Sequence, residues 1–246
     1  MFNIRIAELV VRIDNKYDYV REFCKDYIVS DELPVDIEVS AAREELLKEI
    51  GAGLEEVEDT EKLESMAFPY CESLCVYRHI AQEMIHFHGF LMHSAIIAVD
   101  GAAYAFCAKS GTGKTTHMNL WLRKFGDRAQ VVNGDKPILR YIDGALYAFG
   151  TPWCGSEGMG ADIKAPLKAI CFIERSATNG IERMTPSAVL GRIFHQLLMP
   201  QDEESLDSFM DMIEKMIAGT PCYLLRCNME MEAADVAWRG IQEDRA

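Results

Sequence analysis

The spacing of apolar positions changes several times along the chain, and each change marks an element. Residues 2–14, Phe-Asn-Ile-Arg-Ile-Ala-Glu-Leu-Val-Val-Arg-Ile-Asp, predict one or two strands with broken alternation. A short helix is predicted over Tyr17–Tyr27 and an acidic alternating strand over Pro34–Val39. Ser40 predicts the N-cap of a helix ending near Gly51. Residues 51–60 read as an exposed acidic loop, and the charges Glu55, Glu56, Glu58, Asp59 and Glu61 as a solvated surface without function. Pro69 then precedes an apolar-periodic helix from Tyr70 to about Phe87.

From Phe90 the pattern becomes strand-like. A strand over Phe90–Val99, a tight turn at Asp100-Gly101 and a second strand over Ala102–Cys107 make an antiparallel hairpin. A helix follows over Lys114–Lys124, then strands over Ala129–Val132 and Pro137–Ile142, with a turn at Asp143-Gly144. Residues 150–160 are too rich in glycine for anything but a loop, and a long glycine-rich loop inside a compact fold is usually functional. Beyond it lie a strand over Leu167–Glu174 and a helix from Thr185-Pro186 to about Met199. A helix over Ser205–Ala218, a strand over Tyr223–Arg226 and a closing helix over Glu232–Gln242 complete the chain.

Between the hairpin and its helix stands Ala108-Lys109-Ser110-Gly111-Thr112-Gly113-Lys114-Thr115-Thr116. Strand, glycine turn and helix N-terminus in that order form a cradle for polyphosphate. Glycines admit the backbone conformation that aims several N–H groups at one anion, and the helix end adds its own unpaired N–H groups. The residues assigned to phosphate are Ser110, Gly111, Thr112, Gly113, Lys114, Thr115 and Thr116. Lys114 supplies the full positive charge, and the Thr115 hydroxyl is placed for Mg²⁺. The Walker A pattern is met except at its first position, where Ala108 replaces glycine.

Phosphoryl transfer also needs carboxylates. Asp135 follows a strand whose C-terminal end would face the cradle, where it holds Mg²⁺ or takes the proton of an attacking hydroxyl; the alternative is a turn aspartate. Glu157, in the glycine-rich loop, is a candidate second metal-facing oxygen, or a solvent-exposed glutamate. His93 is expected on the hairpin strand beside the one entering the cradle. Arg140, Arg175 and Arg192 are each candidates to reach a phosphate, and spacing selects none of them.

The 246 residues fit one sizeable domain or two unequal ones. A net charge of −14 excludes a basic footprint for nucleic acid or an anionic membrane. No stretch is apolar enough to span a bilayer, and the N-terminus does not read as a signal peptide, so the cytoplasm is the expected location. The eight cysteines form no Cys-x-x-Cys pair and read as buried reduced thiols, with zinc binding the lesser alternative.

The run Leu91-Met92-His93-Ser94-Ala95-Ile96, Asp100-Gly101, Ser110–Thr115 and Val131-Val132-Asn133-Gly134-Asp135 resembles the C-terminal catalytic domain of HPr kinase/phosphorylase. It more closely resembles the HPr kinase-like proteins encoded beside peptide-maturation genes, whose Gly-Thr-Pro-Trp/Phe-x-Gly loop matches Gly150–Gly155. The resemblance covers about residues 88–175 well and residues 1–85 barely. It implies an α/β fold with a mixed sheet, the PEP carboxykinase-like P-loop fold. An HPr kinase-like nucleotide-binding domain would span residues 88–246, beside a smaller α+β region over 1–87. It implies ATP and Mg²⁺, transfer of the γ-phosphate to a serine-type hydroxyl of a peptide, protein or small molecule, and a homo-oligomer. Carried over, Lys114 binds phosphate, Thr115 and Glu157 face the metal, His93 is the active-site histidine and Asp135 is the proton acceptor. Gly134 stands where the family has a first acid, and Glu157-Gly158-Met159-Gly160 departs from its Glu-x-Arg-Gly context. Gly134 in place of an acid keeps a second expectation open, an ATP-binding accessory or regulatory protein with little or no transfer. PEP carboxykinase chemistry is disfavoured by the short chain.

Overall fold

The computed structural model describes residues 1–50 and 60–244. The chain divides into two compact units, Met1–Met84 and Ile85–Ala246.

The first unit holds a four-stranded sheet. Phe2–Ile6 (β1) and Leu9–Asp14 (β2) form a hairpin; Ile28–Val29 (β3) and Ile37–Ser40 (β4) flank it in the order β3-β1-β2-β4. Asp18–Phe23 (α1) realises the first helix and gives way to a 3-10 turn at Lys25–Tyr27. Ser40 ends β4 and caps nothing. The next helix, Arg43–Ile50 (α2), is opened instead by the Glu45 carboxylate accepting from the Ala42 N–H at 2.8 Å. The charge run of residues 51–59 lies outside the described residues, as does the Glu61 side chain. Pro69 does not start the next helix. Thr60–Glu83 (α3) runs through it, with Pro69 inside the helix.

The second unit is a mixed sheet covered on both faces. Its strands are Gly89–Leu91 (β5), Ala95–Val99 (β6), Ala102–Cys107 (β7), Ala129–Asn133 (β8), Ile138–Ile142 (β9), Ala145–Phe149 (β10), Lys164–Arg175 (β11), Gly180–Arg183 (β12) and Cys222–Cys227 (β13). Seven of them run in the order β5-β9-β10-β11-β7-β6-β8; off this path β13 pairs with β11, and β12 with β13. The hairpin β6–β7 is antiparallel as the Asp100-Gly101 turn requires, whereas β7 and β13 both run parallel to β11. The predicted strand Phe90–Val99 is two strands: β5 pairs with β9 and β6 with β7. His93 therefore lies in the break, not on the hairpin.

Every residue of β6 is buried, since each of its faces meets a helical layer. Ile96 and Ala98 join a core with Pro186–Ile193 (α5) and Glu203–Gly219 (α6). Ala95, Ile97 and Val99 face Lys114–Phe125 (α4) and Met231–Glu243 (α7). The helix expected to reach Met199 stops at Ile193 and continues as a 3-10 turn, Phe194–Gln196. Strands β10 and β12 have no counterpart in the sequence reading; both are short, β10 is mostly buried without clean alternation, and β12 has no buried residue. The eight cysteines are free thiols, seven of them buried, and burial pushes Cys24 and Cys222 up to about 12.

On the α4 face Trp121 packs fully buried among Tyr104, Phe106, Phe125 and Trp238. Its indole N–H donates to His117 Nε2 at 3.0 Å, which fixes that imidazole as neutral. Burial lowers the His117 pKa from 6.5 to about 4. The unfolded chain therefore binds a proton that the folded chain refuses. Stability should fall as pH drops from 6.5 to 4, by about 3 kcal/mol at about 1.4 kcal/mol per unit. Denaturant titrations of His117→Gln should show a flatter profile than the parent across that window; parallel profiles would refute the assignment.

Candidate functional site

The turn between β7 and α4 is held open by its glycines. Gly111 and Gly113 have φ of 74° and 125°, a region that a side chain resists, and no atom lies within 4 Å of where a Cβ would stand. Arg175, at the end of β11, donates to the carbonyls of Gly111 and Thr112 from outside, which turns these oxygens away from any anion. Of the three candidate arginines, Arg175 thus supports the turn. Arg192 pairs with Glu174 at 2.7 Å, and Arg140 donates to the Phe87 carbonyl at 2.9 Å.

A cavity of about 460 Å³ lies over the turn, lined by Ser110, Gly111, Gly113, Lys114, Thr115 and Thr116 on one side. Gly134, Asp135 and the loop Cys154–Glu157 line the other. Thr112 does not line this cavity and faces two others beyond the turn. Glu157 is exposed at the rim.

Lys114, His93 and Asp135 meet here. Lys114 is 8% exposed and donates to the Ala108 carbonyl at 3.2 Å, with His93 Nε2 at the same distance. His93 Nε2 also lies 3.0 Å from Asp135 Oδ1. One ring nitrogen cannot donate to a carboxylate and accept from an ammonium at once. The ionised Asp135 can only accept, whereas the Lys114 ammonium has the Ala108 carbonyl as another acceptor, so we assign the proton to Nε2 and leave Lys114 lining the cavity. Burial lowers the Lys114 pKa and the Asp135 charge opposes that shift. For Asp135 burial acts upward, but hydrogen bonds from His93 and Lys136 prevail and hold it far below the usual carboxylate range.

Three residues that sequence reasoning gave no separate role position this group. Asn133, wholly buried, accepts from the N–H groups of Asp135 and Lys136, both at 2.8 Å. Its amide donates to Thr151 Oγ1 at 2.9 Å, and that hydroxyl donates to the Lys136 carbonyl at 2.9 Å. Thus Thr151, within the Gly150-Thr151-Pro152 run, clamps the Asp135 turn. The Lys136 ammonium ion-pairs with Asp135 Oδ2. Asn133 was legible as an Asx-turn residue; Thr151 was not, because its partner is 18 residues away.

Gly134 has a packing reason. A Cβ there would lie 2.9 Å from the Cys154 carbonyl and 3.1 Å from that of Met159. Gly134→Asp should therefore cost about 1–3 kcal/mol in chemical denaturation and restore no second acid to the cavity. A variant as stable as the parent would refute the contact. As for metal, the hydroxyl of Thr115 and the carboxylate of Asp135 are hard oxygen donors that fit Mg²⁺, which keeps several waters and shares substrate phosphates. Among the described residues no group of three or more His, Cys, Asp or Glu could hold a metal ion by itself.

No protein-family model matches the chain, and no curated protein matches it. Among solved structures, the HPr(Ser) kinase/phosphatase from Coxiella burnetii aligns with 63% of this chain and 92% of its own, at 9% identity and a TM-score of 0.38. The likeness is distant. The described residues form a mixed α/β structure with mixed sheets, and no helix among them is long and apolar enough to cross a membrane.

Proposed function

We propose that the chain is an ATP-dependent phosphotransferase acting on a hydroxyl. One observation carries this reading: an ammonium and a carboxylate, joined by the His93 imidazole at 3.2 and 3.0 Å, line a cavity floored by a glycine turn and a helix N-terminus. Backbone N–H groups from Gly111 to Thr116 receive the phosphates, and Lys114 meets the β- and γ-oxygens. Thr115 and Asp135 would hold Mg²⁺, which supplies charge neutralisation, with Glu157 at the rim as the further oxygen. Asp135, ionised and aimed by Asn133 and His93, accepts the proton of the incoming hydroxyl. A neighbouring cavity of about 560 Å³ shares Gly111, Gly113 and Thr116 and is lined further by Ile173, Ala177 and Met229; its apolar wall suits the nucleoside end.

A second reading, nucleotide binding without transfer, is favoured by Lys136, whose ammonium already occupies Oδ2 of Asp135. Incubation with γ-labelled Mg-ATP and hydroxyl-bearing acceptors separates the two. Label on an acceptor supports the phosphotransferase; ATP binding with no transfer to any acceptor leaves only the second reading, and absence of ATP binding removes both.

A further inference from the structure

The glycine turn has an outer side as well. A cavity of about 760 Å³ opens against the backbone of residues 107–112, walled by the end of β11 and the segment after α5. Its charged and amide lining is Lys109, Glu174, Arg175, Arg192, His195 and Gln196. In a chain of net charge −14, this gathers three cations and a histidine around one carboxylate. Glu174 is already compensated, by Arg192 at 2.7 Å and Arg226 at 3.8 Å. Arg175 is held by the turn's carbonyls, whereas Lys109 is exposed and makes no ion pair among the described residues. Gln196 is 7% exposed, with its Oε1 sealed from solvent and without a hydrogen bond. A sealed, unbonded carbonyl is costly, about 1–3 kcal/mol. It leaves the amide NH₂ as the polar end available to the cavity.

The lining therefore offers donors and positive charge. It also adjoins the reacting groups: the backbone carbonyl of Gln196 accepts from the backbone N–H of His93 at 2.6 Å, and Ser110 and Gly111 are shared with the phosphate cavity. A volume of this size holds a small molecule whole.

We propose that this cavity binds the carboxylate of a small acceptor, so that the group phosphorylated is the hydroxyl of a hydroxy acid. This rests on the phosphotransferase reading above. In the step served, the acceptor oxygen bonds to the γ-phosphorus. The bond from that phosphorus to the β–γ bridging oxygen breaks, its electron pair leaving on ADP, and the hydroxyl proton passes to Asp135. Lys109 and Arg192 hold the carboxylate in a cavity that neither Thr115 nor Asp135 lines, which keeps the acceptor's own charge from displacing the metal oxygens.

The test fills the phosphate cavity with Mg²⁺ and a non-hydrolysable ATP analogue. The loaded chain is then titrated calorimetrically with glycerate and lactate, and with glycerol and propane-1,2-diol as their neutral twins. The acids should bind at least tenfold more tightly than the twins. Lys109→Ala, a change at an exposed side chain, and independently Arg192→Gln should each weaken the acids about tenfold while moving the analogue's Kd less than threefold. Equal binding of acids and twins, no binding of either acid, or unchanged affinity in both variants overturns the proposal. Failure of the analogue itself to bind overturns the phosphotransferase reading, and this proposal with it.

Discussion

Lys114→Ala should weaken ATP binding about 10²-fold and reduce phosphotransfer further still. Lys114 is the cation of the glycine turn whose ammonium is both desolvated and turned to the cavity. Hydrogen bonds to charged groups contribute about 1.5–3 kcal/mol each, and about 1.4 kcal/mol is a factor of ten. Truncation should leave the fold intact, because burial already disfavours the charged amine. Lys114→Met, which retains the aliphatic stem, separates charge from packing. Fluorescence titration with a labelled ATP analogue reads the affinity, and thermal unfolding reads the fold. Parent-like affinity in both variants would leave the turn an ordinary strand-to-helix connection.

Asp135→Asn should lower the phosphotransfer rate by about 10² to 10⁴, the range typical of a positioned proton acceptor. Nucleotide affinity should change only a few-fold, since the backbone cradle and Lys114 are untouched. The amide is nearly isosteric and can still accept from His93, so the geometry should persist while the charge is lost. Single-turnover kinetics with γ-labelled ATP separates rate from binding. A variant with parental turnover would assign Asp135 a structural part, as the anchor of Lys136 and His93.

The hairpin, the glycine turn and the helix after it were legible because each is encoded within a few neighbouring residues. Asp100-Gly101 makes a turn by itself, and Gly111 and Gly113 announce their backbone conformation. The break at residues 92–94 was not legible. Its apolar run continues through Met92, and what ends the strand is distant. The Met92 N–H donates to the Pro137 carbonyl at 3.4 Å, that of His93 to Gln196 and that of Ser94 to the Asp135 carbonyl at 3.1 Å. Pro69 misled for a related reason, since whether a proline starts, breaks or sits inside a helix depends on more than its neighbours in sequence.

By itself, then, the amino-acid order specified a mixed-sheet α/β protein with a glycine turn feeding a helix, and named Lys114, His93 and Asp135 as residues of interest. Folding alone decided that the three touch and that Thr151 locks the Asn133 turn that carries Asp135. It also decided that Lys136 shares the carboxylate and that Gly134 leaves no room for a second one. Local conformation follows from steric and hydrogen-bonding preferences of adjacent residues. Apart from Lys136 beside Asp135 and the local turn that Asn133 makes with residues 135 and 136, these side-chain contacts join residues 15 to 42 positions apart and exist only once the sheet sets its register.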